Sequence, residues 1–318
     1  MEKAYGKNNA NSIFGVHQIP SSNQIRNLLD PIPESTLFPL FYEFNTLLYE
    51  YQFLEPFRSF NNHLLIALDG TDTFSSQKIS CPCCTTKTLS NGNTLYRHSA
   101  LTPVIVAPKQ SHVVPLPPEF IQPQDGSEKQ DCELNAAKRW LASWGKSYSL
   151  WGATLLGDDL FANQPFFQAA IEQGFDIITV CKSSSHQTIY EQLAEFEKMG
   201  EVQSFETYYW DGKQRITRHY RFMNQVPLRD SDDALMVNWC ELVEIDAKGK
   251  QKFKNSWITT HKITAKNLAK LTEAARARWK IENENNNVLK NNGYNFGHNF
   301  SHGQQHLSNL LATLTLLA

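Results

Sequence analysis

Short apolar runs that end in polar turns recur along this chain, and longer segments of helical periodicity lie between them. The runs at 63–72, 153–158 and 176–181 predict buried strands, because nearly every residue is apolar until a polar turn follows. Residues 36–57 repeat apolar positions every three or four residues, which predicts a helix. One side of that helix would carry Leu37, Phe41, Phe44, Leu48 and Tyr51.

The remaining segments predict a mixed α/β fold. Residues 95–107 and 203–260 are rich in β-formers, and Gln124-Asp125-Gly126 predicts a turn. One helix is predicted from Ser127 to Trp144, with Gln130 in the capping-box position, and another from Asn163, with Pro165 in its first turn. Further helices are predicted over 186–199, from Thr264 to the stop signal at 291–293, and over 304–318. This order predicts a mixed sheet flanked by helices and interrupted by a β-rich insertion.

The long helix after Thr264 carries charges where its apolar face should continue. Residues spaced alternately by three and four positions share one face of a helix. On this face lie Leu268, Leu271, Ala275, Arg278 and Glu282. Burying an unpaired charge is costly. Either Arg278 and Glu282 pair with each other, or the face enters a site where a carboxylate binds a metal ion beside a phosphate.

Two further acids follow predicted buried strands. Asp69 and Asp158 each stand where such a strand ends, which is where ligand sites form in α/β sheets. With Glu282 they make a candidate set of three carboxylates, for which Mg²⁺ or Mn²⁺ is the expected partner. Two such ions would activate a water or a 3′-hydroxyl and stabilise the leaving oxygen of a phosphodiester. The alternative is that both aspartates only cap turns.

Two of these acids have a neighbour that could replace them. Glu284 is a rival of Glu282, and Asp159 is a rival of Asp158. Two residues turn about 200° around an α-helix, so Glu284 would point away from Arg278, which favours Glu282. Asp158 directly follows the predicted strand, which favours it over Asp159.

Basic residues concentrate before and within the long helix. Residues 248–280 contain ten Lys or Arg and one acid, whereas the whole chain has a net charge of −2. The alternation of Lys248, Lys250, Lys252 and Lys254 predicts four ammonium groups on one face of a strand. Such a face either protects an exposed edge strand from pairing or follows DNA phosphates without sequence preference.

Cysteines and a histidine make one candidate zinc group. Cys81, Cys83 and Cys84 are followed by His98 and Cys132. We interpret the segment as CxCC, which lacks the CxxC spacing of zinc sites and favours plain thiols.

Three histidines near the carboxyl terminus make a second candidate group. His298, His302 and His306 lie four residues apart and would line up on a helix. Gly297 and Gly303 predict a loop instead. We therefore expect hydrogen bonds to backbone, or contact of His298 with DNA phosphate, rather than a metal.

Length and composition are those of an ordinary globular chain. The 318 residues are 41% hydrophobic and 19% charged. No apolar signal core follows Met1 and no run of about eighteen apolar residues occurs, so we expect a cytoplasmic protein without a membrane partner. The six scattered cysteines fit reduced thiols better than a disulfide framework. The sequence contains no Walker loop, no Gly-x-Gly-x-x-Gly and no Gly-x-Ser-x-Gly motif.

Three segments, in order, resemble the catalytic segments of DDE transposases from bacterial insertion sequences: LLIALDGT, LLGDDLFANQPF, and RWKIEN followed by LK. The resemblance covers residues 60–318 and is to the insertion-sequence-four-like group, with its Tyr-Arg-Glu-Lys signature. It implies an RNase H-like core, of the retroviral-integrase type, at 61–200 and 262–318, with a β-rich insertion at 201–261 and a further segment at 1–60. It also implies Mg²⁺-dependent cleavage and strand transfer of element-end and target DNA by a homodimer.

By this resemblance the three acids of the candidate set are the catalytic metal ligands, and Arg278 and Lys290 engage DNA phosphate. The chain departs from the signature in two places. The tyrosine position falls on Ala275, and Lys290 follows Glu282 by one residue more than the signature has. Two other functions stay open: an inactive, truncated DNA-binding relic of a transposase, and a zinc-binding interaction module built on the cysteines.

Overall fold

The computed structural model describes residue 15 and residues 20–123, 130–298 and 302–318. The predicted turn at 124–126 and the predicted cap at Ser127 lie outside these ranges. Within them, nine strands form a main sheet and four form a smaller sheet beside it. None of the helices in these ranges combines the length and the apolar character needed to cross a membrane.

Strands lie in every segment predicted to be β, although the strand predicted at 63–72 is broken after residue 67, and strands at 85–88, 114–115 and 119–121 were not predicted. In chain order they are β1 (Leu64–Ala67), β2 (Gly70–Ser76), β3 (Thr85–Thr88), β4 (Thr94–Leu101), β5 (Val104–Val106), β6 (Val114–Pro115), β7 (Glu119–Ile121), β8 (Ala153–Gly157), β9 (Asp176–Val180), β10 (Gln203–Trp210), β11 (Arg215–Pro227), β12 (Met236–Ile245) and β13 (Gln251–Thr259). The main sheet has the order β10-β11-β12-β13-β9-β8-β1-β5-β6. β1, β8 and β9 run parallel, whereas β5 and β13 join this group antiparallel.

The smaller sheet grows out of the main one at a bend. β4 pairs with β2, β3 and β7. Because β2 starts at Gly70, the chain leaves the main sheet at Asp69. β4 leads back into β5, and between them the amide of Thr102 donates a 3.0 Å hydrogen bond to the carbonyl of Asp69. The two chain segments that connect the sheets are thus hydrogen-bonded to each other.

Helices cover both faces of the main sheet. They are α1 (Ser22–Leu29), α2 (Phe38–Glu50), α3 (Glu133–Trp140), α4 (Lys146–Ser149), α5 (Gln164–Gln173), α6 (Gln187–Lys198), α7 (Leu268–Arg276), α8 (Asn287–Asn291) and α9 (Leu307–Leu317). One core contains Trp140, Phe166 and Ile189, and the other contains Leu268 and Leu271. Burial on both faces explains why β1, β8 and β9 are almost wholly apolar. The predicted mixed α/β sheet flanked by helices is therefore confirmed.

The helix predicted at 36–57 is shorter and packs through a different face. Phe41 is buried as expected, but Phe44 and Tyr51 are 56% and 71% exposed. Asn45 is buried instead, because its side-chain amide donates a 3.1 Å hydrogen bond to the hydroxyl of Tyr148. The predicted face is therefore right for Phe41 and Leu48, which pack inward, and wrong for Phe44 and Tyr51. Apolar side chains surround this helix, so periodicity alone does not fix its orientation.

Two predicted helix starts also move. α3 begins at Glu133, and Gln130 accepts a hydrogen bond from the amide of Thr86 instead of completing a capping box. α9 begins at Leu307 rather than at residue 304, because residues 302–306 form a loop. That loop agrees with the conformation predicted from Gly303.

We predict that Asp30→Ala lowers the free energy of unfolding by about 1–2 kcal/mol, measured by chemical denaturation. The carboxylate accepts hydrogen bonds of 2.8–3.1 Å from the amides of Gln304, Gln305 and Leu307, ahead of α9. Partial burial opposes the effect, but these amides lower the pKa of Asp30. The stability that Asp30 contributes is therefore fully present above the pKa that it has in the unfolded chain, and it is lost as the pH falls through the lower pKa that it has in the folded chain. Asp232→Ala, in an exposed turn, is the control, and an equal loss there would contradict the cap.

Candidate functional site

Asp69 and Asp158 lie side by side at the carboxyl ends of two parallel strands. The register of β1 against β8 pairs Leu64 with Ala153 and continues without a break. The amide of Leu68 then donates a 2.9 Å hydrogen bond to the carbonyl of Leu156. Continued by two residues, this register sets Asp69 opposite Asp158, as the sequence predicted from the ends of the two strands.

Asp69 lies in an environment that disfavours its charge. Burial raises its pKa to about 6, the guanidinium of Arg278 opposes this rise, and the carboxylates of Asp158 and Glu282 add to it. The structure therefore brings Asp158, Glu282 and Arg278 within electrostatic reach of Asp69. Like charges held this close need a counter-charge for all of them to be ionised.

Glu282 is the helix acid whose charge acts on Asp69, although its own side chain is exposed. It lies in a π-helical turn, Ile281–Asn286, that follows a 3₁₀ turn, Ala277–Trp279. The helix face that was predicted from 3.6 residues per turn is therefore observed only for its apolar residues, Leu268, Leu271 and Ala275, which are buried. Among the described residues no ion pair joins Arg278 to Glu282, so the internal pair expected as the structural alternative does not form.

The π-helical turn also accounts for the position of Lys290. A π turn inserts an extra residue into the helix, so Lys290 keeps the direction it would have one residue earlier in a regular helix. Its ammonium group donates a 2.6 Å hydrogen bond to the hydroxyl of Thr71. Burial lowers the pKa of Lys290, while the charges of Asp72 and Asp69 raise it. The cation thus lies near the first acid of the set.

The rival acid Asp159 turns towards another element. Its carboxylate accepts a 2.6 Å hydrogen bond from the amide of Lys182 and lies 3.3 Å from Nε2 of His186. Asp158 accepts from the amide of Leu160 in the turn after β8 and acts electrostatically on Asp69. Asp159 therefore contacts the segment after β9, whereas Asp158 is the acid whose charge acts on Asp69.

Glu133 is a fourth acid that sequence reasoning missed. Its carboxylate accepts a 2.8 Å hydrogen bond from the amide of Gly70. Burial raises its pKa to about 7, and the charges of Asp69 and Asp158 add to the rise. Gly70 permits this approach, since a Cβ atom there would lie 2.7 Å from a Glu133 oxygen. The predicted helix start at Ser127 hid Glu133 within a helix, whereas it is the first residue of α3.

Glu133 and Lys290 line one open cleft. Its volume is about 700 Å³, and Gly70, Thr71 and Leu160 also border it. The cleft thus runs beside the residues that follow β1 and β8. The residues that line it include close sequence neighbours of Asp69 and Asp158 but not these two acids themselves.

The three predicted acids are not as close together as ligands of a single ion would be. In the described ranges, two groups bring three or more ligand atoms within 4.8 Å of one another, and neither contains these acids. One of the two is His63, Asp176 and His261, where the parallel strands begin. Ligands shared between two ions are spread more widely than those of one ion. In this structure the three acids therefore do not form the ligand set of a single ion.

The four lysines do not share one strand face, so that prediction was wrong. Lys248 lies in the turn after β12 and Lys250 precedes β13, because Gly249 adopts a positive φ of 78° and closes the turn. Lys252 and Lys254 do alternate on β13. Their ammonium groups lie 3.4 and 3.0 Å from buried carboxylates, those of Asp246 and Glu241. The two strand lysines therefore compensate buried charge.

The spacing assigned to the cysteines was also wrong. Cys81 and Cys84 are separated by two residues, so the segment does contain CxxC. Both sulfurs approach Nε2 of His98, at 3.2 and 3.4 Å. His302 completes the group, because the loop before α9 returns to the smaller sheet.

The other cysteines and histidines of the two candidate groups lie elsewhere. The thiol of Cys83 faces the carbonyl of residue 305 at 3.3 Å, and Cys132 is exposed ahead of α3. His306 lies 3.1 Å from the carboxylate of Glu34. His298 is exposed, and its role in DNA contact stays a prediction.

Comparison of the chain with protein-family models and with curated proteins gave no match. The chemistry that the site can perform therefore has to be inferred from the residues that form it. Carboxylates at neighbouring strand ends suit hard divalent cations. Arg278 and Lys290 beside them suit an anionic group such as a phosphate.

We predict that Asp69→Asn raises the free energy of unfolding at pH 7–8 in buffer with EDTA. A carboxyl whose folded pKa exceeds its unfolded value destabilises the folded state as the pH rises between the two, here from about 4 to about 6. Allowing for solvent screening, we expect a gain of about 1–2 kcal/mol at pH 7 and none below pH 4. Asp159→Asn, which loses a 2.6 Å hydrogen bond, should not be stabilised. An equal gain in both variants would contradict the crowding of acids.

Proposed function

We propose that this chain is a DDE-type transposase of a bacterial insertion sequence. It would hydrolyse the phosphodiester bond at the ends of the element and join the freed 3′-hydroxyl to target DNA. The observation that carries the proposal is the register of β1 against β8, which pairs Ala67 with Leu156 and, extended by two residues, sets Asp69 opposite Asp158. The charge of Glu282 acts on the carboxyl of Asp69 as well. Because an element has two ends, we propose a homodimer acting on DNA in the bacterial cytoplasm.

The order of the central strands supports an RNase H-like core. β1, β5 and β6 are neighbours in the sheet and run antiparallel to one another in turn. On the other side of β1 lie β8 and then β9, both parallel to β1. An RNase H-like sheet has this arrangement, with its acids at the ends of the central strands. The segment 201–261 contributes β10 to β13, which extend the sheet beyond β9.

Asp69, Asp158 and Glu282 would hold two Mg²⁺ or Mn²⁺ ions. Oxygen ligands suit these cations. Burial, with the charges of Asp158 and Glu282, raises the pKa of Asp69 even beside Arg278, and a bound cation would offset this unfavourable ionisation. When bound, the metals would supply nucleophile activation and charge stabilisation. Burial and the charges of Asp69 and Asp158 raise the pKa of Glu133 to about 7, so without metal this carboxyl carries only part of a negative charge at neutral pH.

Arg278 and Lys290 would orient the DNA backbone at the cut. Arg278 is half-buried beside the acids and makes no ion pair among the described residues, so its guanidinium can take a phosphate. Lys290 is anchored on Thr71 next to the cleft. Lys248 and Lys250, exposed in the turn between β12 and β13, remain candidates for weaker phosphate contacts.

We predict that Glu282→Gln reduces metal-dependent DNA nicking to the level seen without metal, whereas Glu284→Gln leaves it nearly unchanged. Asp69→Asn should behave like Glu282→Gln, because each removes a metal ligand. The substrate is a supercoiled plasmid carrying the gene with its genomic flanks, incubated with Mg²⁺ or Mn²⁺ and resolved on agarose. Full activity of Asp69→Asn, or loss in Glu284→Gln alone, would reject this site.

A second prediction concerns DNA binding. The logarithm of the DNA-binding constant falls as the logarithm of the salt concentration rises. Lys290→Ala should make this negative slope shallower by about 1, because one phosphate contact is lost. Lys254→Ala is the matched control, since its ammonium group already pairs with Glu241. Both are measured by fluorescence anisotropy on a duplex from the flanking DNA. A larger change in the control than in Lys290→Ala would move the DNA path towards β13.

A further inference from the structure

Four side chains from three separate segments converge on one point beside the smaller sheet. They are Cys81, Cys84, His98 and His302, whose ligand atoms all lie within 4.8 Å of one another. The sulfurs of Cys81 and Cys84 are 3.6 Å apart. Their distances to Nε2 of His98 are 3.2 and 3.4 Å, and Cys84 lies 3.9 Å from Nδ1 of His302.

These distances are those of a tetrahedral zinc shell. Zn–S bonds of about 2.3 Å and Zn–N bonds of about 2.0–2.1 Å give tetrahedral edges of about 3.8 Å between two sulfurs and about 3.6 Å between sulfur and nitrogen. The four measured separations scatter around these lengths. Two thiols and two imidazoles are also the ligand types that zinc selects, whereas Mg²⁺ prefers oxygen.

The surroundings of the ligands match a structural metal site. The amide of Cys81 donates a 3.4 Å hydrogen bond to the sulfur of Cys84, and the amide of Cys84 donates one of 3.1 Å to the carbonyl of Cys81, so the CxxC closes on itself. Nε2 of His98 faces the sulfurs, which leaves the Nδ1–H group to donate the hydrogen bond that His98 makes to the side-chain oxygen of Asn309. Such outer hydrogen bonds orient metal-ligating histidines.

We infer that Cys81, Cys84, His98 and His302 bind one structural Zn²⁺ ion, which holds residues 302–318 against the smaller sheet. The ion would close a link of 204 residues between His98 and His302. All four coordination positions are filled by protein, so the site is structural rather than catalytic. The inference does not depend on the proposed transposase activity.

The zinc site would brace the surroundings of the acids without touching them. His98 lies on β4, whose last residue is followed by Thr102, the donor to the carbonyl of Asp69. Cys81 and Cys84 follow β2, which starts next to Asp69. Metal binding adds its free energy to folding when the site exists only in the folded chain.

The test is metal content of the purified protein, measured by plasma mass spectrometry after dialysis against a weak chelator. We expect one zinc per chain. Replacement by Co²⁺ should give the visible bands of tetrahedral cobalt and a near-ultraviolet thiolate charge-transfer band. Protein that stays free of zinc after refolding with the metal, or that holds a different metal in equal amount, would overturn the assignment.

Variants identify the ligands. Cys84→Ser and His302→Gln should lose bound zinc, whereas Cys83→Ser and Cys132→Ser should keep it. Equal loss in Cys83→Ser and Cys84→Ser would overturn the ligand set. If Cys84→Ser does not fold, titration of the wild type with a mercurial reagent decides, because zinc release should follow modification of two thiols per ion. Release without thiol modification would contradict cysteine ligation.

Discussion

The in-register pairing of β1 with β8 is the contact on which the candidate site depends. Parallel strands that end together bring the residues after them to the same edge, here two aspartates. The same pairing is buried on both faces, so the core that stabilises it also removes solvent from the acids. Hydrophobic burial therefore holds two like-charged carboxylates close together. Their repulsion lowers the stability locally, and the burial of the core offsets it.

Irregular helix geometry completes the site. Glu282 lies within a π turn, and Lys290 lies beyond it, so both directions differ from those of an ideal α-helix. The extra residue of that turn changes the direction in which Lys290 points, and π turns occur often at functional sites.

The sequence predicted those parts of the fold that depend on local pattern. β1, β8 and β9 followed from unbroken apolar runs, and Asp69 and Asp158 followed from the ends of those runs. The burial of Asn45 could not be predicted, because it depends on a hydrogen bond to Tyr148, a residue distant in sequence. Glu133 was missed for a similar reason, since its approach to Gly70 is a tertiary contact. The CxxC was visible in the sequence and was misread, whereas the convergence of His302 on it was not visible.

The close contact between Gly70 and Glu133 couples the choices of residue at the two positions. With glutamate at 133, any side chain at 70 meets a carboxylate oxygen and pushes it away from Asp69. With a short residue at 133, room for a larger residue at 70 opens. Exchanges at these two positions are therefore expected to be non-additive, so a substitution at one has to be chosen together with the residue at the other.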